Sequence, residues 1–239
     1  MGEENKIAAE SGGTVSAAAA AVAPPSLVMT IGQAISRYKA DRETSSSPAL
    51  REVINYMIDR NIKTEFSNDS YPDALALTDV MFSRSTQNIR ILTGTQGDGF
   101  LQVLKESFVK ALEKIKSNGG RVRIVVLGKT SKCLDELKNN YPATLEVLPA
   151  QSTGPIKHFT VCDSRMARLE EEHDELTEQT PITAVKARVY FNDPAQSKML
   201  EDVFDHIWNR LTELIGKAAK TAPAPSSVPA AQNEALHPH

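Results

Sequence analysis

Residues 156–163 read IKHFTVCD and run directly into residues 164–173, SRMARLEEEH, and this stretch decides the fold. Apolar residues alternate with polar or small ones on both sides of Asp163-Ser164, which is the period of a β-strand. The stretch therefore predicts a β-hairpin that turns at Asp163-Ser164. Its bend is expected to gather one histidine, one aspartate, two arginines and a cluster of carboxylates.

Six side chains of this hairpin are candidates for binding a ligand, namely Lys157, His158, Asp163, Arg165, Arg168 and Glu170. His158 is the obvious acid, base or nucleophile, because an imidazole changes its charge near neutral pH. Side chains alternate between the two faces of a strand, so His158 is expected on the face of Cys162 and Asp163 on the opposite face. The other interpretation of His158 is a half-buried strand histidine whose hydrogen bonds are satisfied.

The acidic run at residues 170–174 contains carboxylates and one histidine, which are possible ligands for a metal. Consecutive side chains cannot all face one point, so we expect a solvated end of the hairpin and no metal. Arg165 and Arg168 can hold an anion, or can pair with these carboxylates at small net benefit.

Helical and strand periods alternate around the hairpin. Strands are predicted at residues 88–93, 121–127, 144–148 and 184–191, and helices at residues 74–82, 101–118 and 132–139, with a last helix from Asp193-Pro194. Gly119-Gly120 is expected to end the helix before it, because glycine adopts the left-handed conformation at low cost. Helices that alternate with strands, followed by a hairpin, are typical of an α/β fold in which helices flank a mixed β-sheet.

The chain divides into four segments. Residues 1–26 and 217–239, the second rich in proline and alanine, are expected to be disordered tails, because they have too little apolar surface to offset the entropy of ordering. Residues 27–72 are predicted as an α-helical N-terminal extension, whose second helix begins at Pro48. We expect this extension to pack on the main domain, residues 73–216, and a partner-binding arm is the alternative.

The composition of the chain narrows the classes of partner and compartment that we expect for it. Lys and Arg number 27 against 30 Asp and Glu, a net charge of −3, which weighs against nucleic acid as the partner. No apolar run is long enough to span a membrane. Cys133 and Cys162 have no CxxC spacing, so we expect buried thiols in a reducing compartment. We also expect a soluble cytoplasmic protein, and no cofactor.

The turn GTQGDG, residues 94–99, lies between a predicted strand and a predicted helix, where backbone N–H groups can hold a phosphate. Its spacing fits neither G-x-G-x-x-G nor the phosphate loop that ends in Gly-Lys-Ser/Thr. Asp98 also places a negative charge where the anion would lie. We therefore expect a simple strand–helix connection, and such a turn can still border a site beyond the ends of the strands.

From Ala76 to Leu214 the order of elements resembles one half of the phospholipase D superfamily. The resemblance is strongest at NGGRVRIVVLG, residues 118–128, and across residues 156–173. In active members of that family a strand carries H-x-K-x-x-x-x-D, and Gly-Ser and an asparagine follow the turn. The family's histidine attacks phosphorus, its lysine holds phosphate oxygens, and two copies of the motif meet at a dimer or pseudo-dimer axis.

This chain departs from that motif. With the aspartate aligned on Asp163, Ile156 stands at the position of the histidine and His158 at that of the lysine. With the histidine aligned on His158, Thr160 stands at the position of the lysine. After the turn, Arg168-Leu169-Glu170 replaces the Gly-Ser and its asparagine.

The resemblance therefore implies a degenerate, single-motif phospholipase D-like domain without catalytic activity. Such a domain is expected to bind a protein or a small anionic ligand and to act as a regulatory homodimer. The alternative is a phosphodiesterase or nuclease of the same superfamily, in which one His158 from each subunit lies at the dimer axis.

Overall fold

A computed structural model describes residues 28–40, 48–94, 97–151, 157–173 and 176–221 of the chain. The strands are β1 (Thr64–Asn68), β2 (Asn88–Gly94), β3 (Arg121–Leu127), β4 (Leu145–Ala150), β5 (Phe159–Cys162), β6 (Met166–Glu170) and β7 (Ala187–Phe191). The helices are α1 (Ile31–Ala40), α2 (Pro48–Asp59), α3 (Tyr71–Arg84), α4 (Gly97–Val103), α5 (Lys105–Ser117), α6 (Lys132–Asn140) and α7 (Pro194–Thr221). A short 3₁₀ helix, Ile182–Ala184, precedes β7.

The seven strands of the described residues form one mixed sheet, in the order β1-β7-β6-β5-β2-β3-β4. Strands β2, β3 and β4 pair in parallel, and the remaining pairs are antiparallel. Parallel neighbours need a crossover, which α4 and α5 supply between β2 and β3, and α6 between β3 and β4. The predicted α/β fold with a mixed sheet flanked by helices is confirmed.

The alternation in the hairpin sends side chains into two separate cores. Cys162 belongs to a large cluster with residues of α1 to α6, on one face of the sheet. Phe159 and Val161 belong to a second cluster with Phe204 and Trp208 of α7, on the other face. The face assignment predicted from the period of the hairpin is therefore confirmed for these residues.

Side chains at the helix starts satisfy backbone N–H groups that have no partner inside the helix. Ser131 accepts a hydrogen bond from the N–H of Leu134 at 3.1 Å at the start of α6. At the start of α7 the Asp193 carboxylate accepts one from the N–H of Gln196 at 3.3 Å, and Pro194 occupies the first helical position. The predicted start of the last helix is confirmed.

Two glycines end α5 for different reasons. Gly119 has a φ of 70°, the left-handed conformation that only glycine adopts at low cost. Gly120 lies against the residue that precedes β2, where an added Cβ would be 1.9 Å from the carbonyl oxygen of Gln87. The first glycine turns the chain, and the second lets two backbone segments pass closely.

The long helix predicted at residues 101–118 is two helices, α4 and α5, which meet at Leu104. Leu104 has φ −92° and ψ 11°, outside the helical region, yet its side chain is buried in the same cluster as Leu101 and Phe108. Because both helices present their apolar side to one core, the helical period continues across the break. The sequence pattern therefore carried no signal of the break.

Strand β1 was not predicted, because Thr64–Asn68 reads TEFSN and contains one large apolar residue. It lies at the edge of the sheet, paired with β7, where an edge strand can expose polar side chains. Helix α3 is also longer than the predicted 74–82, and most of its side chains are buried. It is the central helix of the larger core.

Helix α7 continues to Thr221, although a disordered tail was predicted from Lys217. The residues concerned are alanine, lysine and threonine, and the first two propagate a helix well. The predicted tail at 1–26 and residues 222–239 lie outside the described part of the chain. Within that part, neither α7 nor any other helix is both long and apolar enough to cross a membrane.

The N-terminal helices pack on the main domain. Tyr38 of α1 and Ile54 of α2 are buried in the same cluster as α3. The guanidinium of Arg51 pairs with the buried carboxylate of Asp79 in α3 and also donates to the Tyr38 hydroxyl at 3.2 Å. This polar contact joins α1, α2 and α3, as expected for a packed extension.

Candidate ligand-binding site

The two ends of the hairpin separate the six predicted ligand-binding residues. Cys162 pairs with Met166 beside the turn, and Phe159 pairs with Leu169 at the opposite end. Beyond that pair, the N–H of Glu170 donates to the carbonyl oxygen of His158 at 2.9 Å. His158 and Glu170 therefore lie at the open end of the hairpin and not near its bend.

At the closed end, Asp163 has a structural role. Its carboxylate accepts hydrogen bonds from the N–H groups of Thr86, Gln87 and Asn88 at 2.7, 2.9 and 2.8 Å, and from the Thr86 hydroxyl at 2.9 Å. These contacts fix the turn to the start of β2. The acceptor capacity of Asp163 is used within the fold, and its role in binding a ligand stays a prediction.

Arg165 also lies at the closed end of the hairpin. Its N–H donates to the carbonyl oxygen of Cys162 at 3.2 Å, and its own carbonyl oxygen accepts from the N–H of Asp193 at 3.0 Å. Lys157 is at the open end but is exposed. The structure therefore brings together three of the six predicted residues, His158, Arg168 and Glu170.

A histidine that the sequence placed in a solvated run completes the cluster. Nδ1 of His158 lies 3.3 Å, and Nε2 of His173 3.0 Å, from the same Glu170 oxygen, Oε2. The exposed fractions of these side chains are 25%, 11% and 16% for His158, His173 and Glu170. The two imidazole rings meet edge to face, with centroids 5.4 Å apart. We call these three residues the imidazole–carboxylate cluster.

The prediction of a solvated hairpin end is wrong for Glu170 and His173, and holds for the exposed Glu171 and Glu172. The chain leaves the strand after Glu170, and three residues later His173 returns to the same carboxylate. The spacing Glu-x-x-His was the available signal, because it allows a side-chain contact even where neighbours along the chain point to solvent.

Arg168 holds the other oxygen of the cluster's carboxylate. It is 3% exposed, its Nη1 pairs with Oε1 of Glu170, and its Nε donates to the side-chain carbonyl of Asn68 at 3.2 Å. Its guanidinium carbon lies 5.6 Å from the ring centroid of Phe100. Within the described residues its Nη2 is buried and has no hydrogen-bond partner.

Glu170 carries the negative charge of the site. Burial alone would raise the pKa of its carboxyl, but Arg168 and the hydrogen bonds from His158 and His173 outweigh burial and hold that pKa well below its usual range. Nearby, burial raises the pKa of Tyr71 above its ordinary value, against the lowering effect of Arg168. Glu170 is therefore ionised at neutral pH, and Tyr71 is neutral.

Asn68 and Phe100 could not be predicted as members of the site. Asn68 ends β1, a strand without a clear sequence signal, and reaches Arg168 across β7. Phe100 lies in α4, whose start was interpreted as the end of a glycine-rich connection. Gly94 of that connection does border the site, because an added Cβ would lie 3.0 Å from Cε1 of His158.

A cavity of about 500 Å³ adjoins the cluster at His173. Its walls come from the segment before β7, namely Leu176, Thr177, Gln179, Thr180, Pro181 and Ala184. This segment is held to α1 by hydrogen bonds from the N–H of Ile31 to the carbonyl oxygen of Thr180 and from the N–H of Gly32 to that of Glu178. The cavity is large enough for a small molecule beside the cluster.

The arrangement has two chemical capacities. Glu170 orients the Nδ1 side of His158, which leaves Nε2 on the side of Gly94 to donate to or accept from a ligand. The cluster also offers two imidazole nitrogens and one carboxylate oxygen within 4.8 Å of one another, a geometry that can hold a metal ion. His158 is not buried under α7, since its partners lie on the face of the larger core.

No protein-family model matches this chain, and no curated protein sequence matches it. Among solved structures, Nuc from Salmonella typhimurium, a phospholipase D family member, is similar at 14% identity and a TM-score of 0.45, over 62% of this chain and 95% of that one. NucT from Helicobacter pylori is similar at 13% identity and a TM-score of 0.43, over 62% of this chain and 96% of that one.

TrmBL2, an archaeal chromatin protein that binds DNA, is similar at 15% identity and a TM-score of 0.45. The match covers 73% of this chain and 64% of TrmBL2, so this chain spans less than two thirds of that protein's length. At these identities and TM-scores the likeness concerns the arrangement of elements. It identifies neither the ligand nor a reaction of this chain.

Proposed function

We propose that this chain is a non-catalytic phospholipase D-like domain that binds a small anionic ligand beside the imidazole–carboxylate cluster. The observation that carries the proposal is the buried guanidinium of Arg168, whose Nη2 has no partner among the described residues. A buried donor of this kind is unfavourable unless a ligand or water accepts from it. An anion that accepts from Arg168 and an imidazole satisfies this need.

The Nη2 group of the buried Arg168, which has no partner among the described residues, favours an anionic acceptor over a neutral one. Arg168 and Glu170 form an ion pair, and Nε2 of His158 can donate to an anion. The cavity beside His173 supplies space at that end of the cluster, and Arg168 is not one of its lining residues. The sequence resemblance to a family whose strand motif holds phosphate oxygens favours phosphate as the anionic group.

The placement of the cationic side chains that the structure describes on the hairpin favours binding over catalysis. Phosphoryl transfer needs cationic groups that stabilise the charge on the transferred phosphate. Among the described residues of the hairpin, Lys157 is exposed, Arg165 lies at the closed end, and Arg168 is held by Glu170 and Asn68. With His158 aligned on the family's histidine, Thr160 stands at the position of the motif's lysine.

The proposal is tested by thermal unfolding with inorganic phosphate, against potassium chloride at the same ionic strength. Bound ligand stabilises the folded state by about 2.7 kcal/mol at 100 times its Kd, so Tm rises with concentration. We expect this rise in wild type and in His206→Asn, an exposed histidine of α7, and a much smaller rise in His158→Asn. An equal rise in His158→Asn would overturn the proposal.

The proposal includes a homodimer with a regulatory role. Its support is the sequence resemblance. This chain resembles one half-domain of the family, and in that family two copies of the motif meet at a dimer or pseudo-dimer axis. We expect light scattering to give twice the 26.1 kDa of one chain. A mass of one chain at micromolar concentration would remove the dimer from the proposal and leave the ligand site.

The second candidate function is a phosphodiesterase, favoured by the contact between Nδ1 of His158 and Glu170. A carboxylate at one ring nitrogen orients a histidine so that the other nitrogen can act as a nucleophile or acid. This candidate predicts hydrolysis of bis-p-nitrophenyl phosphate by wild type and His206→Asn, lost in His158→Ala. Equal rates in wild type and His158→Ala would exclude it.

A further inference from the structure

We infer that His158, Glu170 and His173 form a binding site for a divalent transition metal, and that Zn²⁺ fits it best. The ligand atoms of the three side chains lie within 4.8 Å of one another. Both imidazoles already direct one nitrogen at the same oxygen, Oε2 of Glu170, at 3.3 and 3.0 Å. The site was not expected from the sequence, which predicted no metal.

Two of the three separations between the ligand atoms match the coordination shell of zinc. Zinc binds nitrogen and oxygen ligands at about 2.0–2.1 Å in a tetrahedron, so that two ligand atoms are about 3.3 Å apart. The measured separations of the two nitrogens from Oε2 are close to that value. The nitrogens of His158 and His173 lie within 4.8 Å of each other, so side-chain rotations that bring them to about 3.3 Å complete the set around an ion.

The surroundings hold these ligands in place. Glu170 and His158 are joined by a backbone hydrogen bond of 2.9 Å at the end of the sheet, which fixes their relative position. Arg168 binds the second oxygen of the carboxylate and is itself held by Asn68. Metal-binding carboxylates are commonly oriented by such a hydrogen-bonded partner, and this leaves Oε2 for the metal.

The donor set selects the kind of metal. Two imidazoles and one carboxylate suit zinc and its neighbours in the first transition row, whereas Ca²⁺ and Mg²⁺ prefer oxygen ligands. Three protein ligands leave a fourth position open. Filling that position with an anion near Arg168 rests on the proposed function; the metal site itself does not.

The test is calorimetric titration of the full chain with Zn²⁺, together with the visible absorption of bound Co²⁺, which reports a four-coordinate site directly. We expect one equivalent of Zn²⁺ per chain and at least tenfold weaker binding in His158→Asn and in His173→Asn. Circular dichroism verifies that each variant is folded. The Co²⁺ spectrum of wild type decides the question if a variant does not fold.

Two controls use the remaining histidines of the chain. His206→Asn changes an exposed histidine of α7, and His237→Asn/His239→Asn changes the pair near the C-terminus. Both controls are expected to bind Zn²⁺ as wild type does. No binding by wild type, or binding lost in the C-terminal pair and unchanged in His158→Asn and His173→Asn, would overturn the metal site.

Phosphate titrations with and without a chelator separate this inference from the proposed function. A Zn²⁺ site in a chain that phosphate does not stabilise would uphold the metal and overturn the anion proposal. A phosphate response that is unchanged by chelator, in a chain that binds no Zn²⁺, would uphold the anion proposal and overturn the metal. A response to phosphate that requires Zn²⁺ would support both.

Discussion

Glu170 connects every other member of the site. One of its carboxylate oxygens faces Arg168 and the other faces both imidazoles. An isolated buried carboxylate is costly, and here the cost is offset by a buried cation and by two hydrogen bonds. The chemistry of the cluster therefore depends on a charge pair that also belongs to the core of the fold.

Replacing Arg168 with alanine removes the cation and leaves this carboxylate buried. Breaking a buried ion pair from one side costs about 3–5 kcal/mol, and we expect a loss of that order in the free energy of unfolding measured with urea. Arg188→Ala on the neighbouring strand is the matched control, because its pair with Glu65 is exposed on both sides. That control is expected to lose about 0–1 kcal/mol, and an equal loss in both variants would contradict the role of Arg168.

For the side chains of the site, the sequence could identify the contacts between residues of one hairpin, and no other contacts. His158, Arg168 and Glu170 are cross-strand or same-strand neighbours, so their meeting follows from the period of the strands. Asn68 lies 100 residues before Arg168 and meets it only through the order of the sheet. That order depends on an edge strand whose short polar sequence gives no strand signal.

Among the elements, the connection from α5 to β3 is the most tightly constrained. Gly120→Ala places a Cβ 1.9 Å from the carbonyl oxygen of Gln87, and backbone must move to relieve the clash. Overpacking of this kind costs about 1–3 kcal/mol, and we expect at least that loss in the free energy of unfolding.

Gly216→Ala is the matched substitution for Gly120→Ala. Gly216 lies within α7, and an added Cβ would meet no atom within 4 Å. Alanine is favoured over glycine inside a helix by about 0.5–1 kcal/mol, so this variant is expected to be more stable than wild type. Urea unfolding that shifted both variants in the same direction would contradict this account of the two glycines.

The start of α7 makes stability depend on pH through Asp193. Burial opposes the charge of Asp193, but hydrogen bonds from Lys63 and from the backbone of Gln196 and Ala195 outweigh it and lower its pKa. An unfolded aspartate titrates near about 3.9, so the stability due to this charge is complete above about pH 4 and is lost as pH falls through the folded pKa.

Asp193→Asn tests this dependence, because asparagine caps a helix as well as aspartate does but carries no charge. We expect wild type to be the more stable at pH 7, by urea unfolding, and the difference to shrink below about pH 4. Asp202→Asn, whose pair with Lys198 is exposed, is the control and should change stability by about 0.5 kcal/mol or less. A difference that grew toward acid pH would reverse the sign argued for Asp193.

Element type was largely predictable, and element ends were not. The strands β2 and β3 and the start of α7 follow from apolar periods and from turn and cap residues. Leu104 shows the limit, since a residue can leave the helical conformation and remain in the apolar stripe. A period reports which side faces the core, and it does not report a local departure from helical dihedral angles such as that of Leu104.

For the whole molecule, α7 joins parts of the chain that are distant in sequence. Glu201 accepts hydrogen bonds from Arg90 of β2 at 2.7 Å and from the hydroxyl of Ser164 in the hairpin turn at 2.8 Å. Glu201 is buried, and Arg90 also pairs with Asp205. The last helix thus holds both the second core and the closed end of the hairpin.

The hydrogen bonds of Asp163 join parts of the chain that are distant in sequence. Asp163 and Ser164 adopt left-handed backbone conformations, with φ of 51° and 54°, and are not glycines. The groups that stabilise this turn lie 75 to 77 residues earlier in the chain, so a locally formed hairpin lacks them. The entropy of closing the loop between such distant residues is lost before their contact forms, and we therefore expect this contact to form late.

Removing the Asp163 carboxylate should therefore change the unfolding rate and leave the refolding rate unchanged. We expect Asp163→Ala to unfold faster in stopped-flow experiments, with a refolding rate close to that of wild type. A matched slowing of refolding would place this contact in the folding nucleus instead. Under the expected result, a side chain that the sequence offered as a ligand-binding candidate acts instead as a late contact, which determines how long the folded chain lasts.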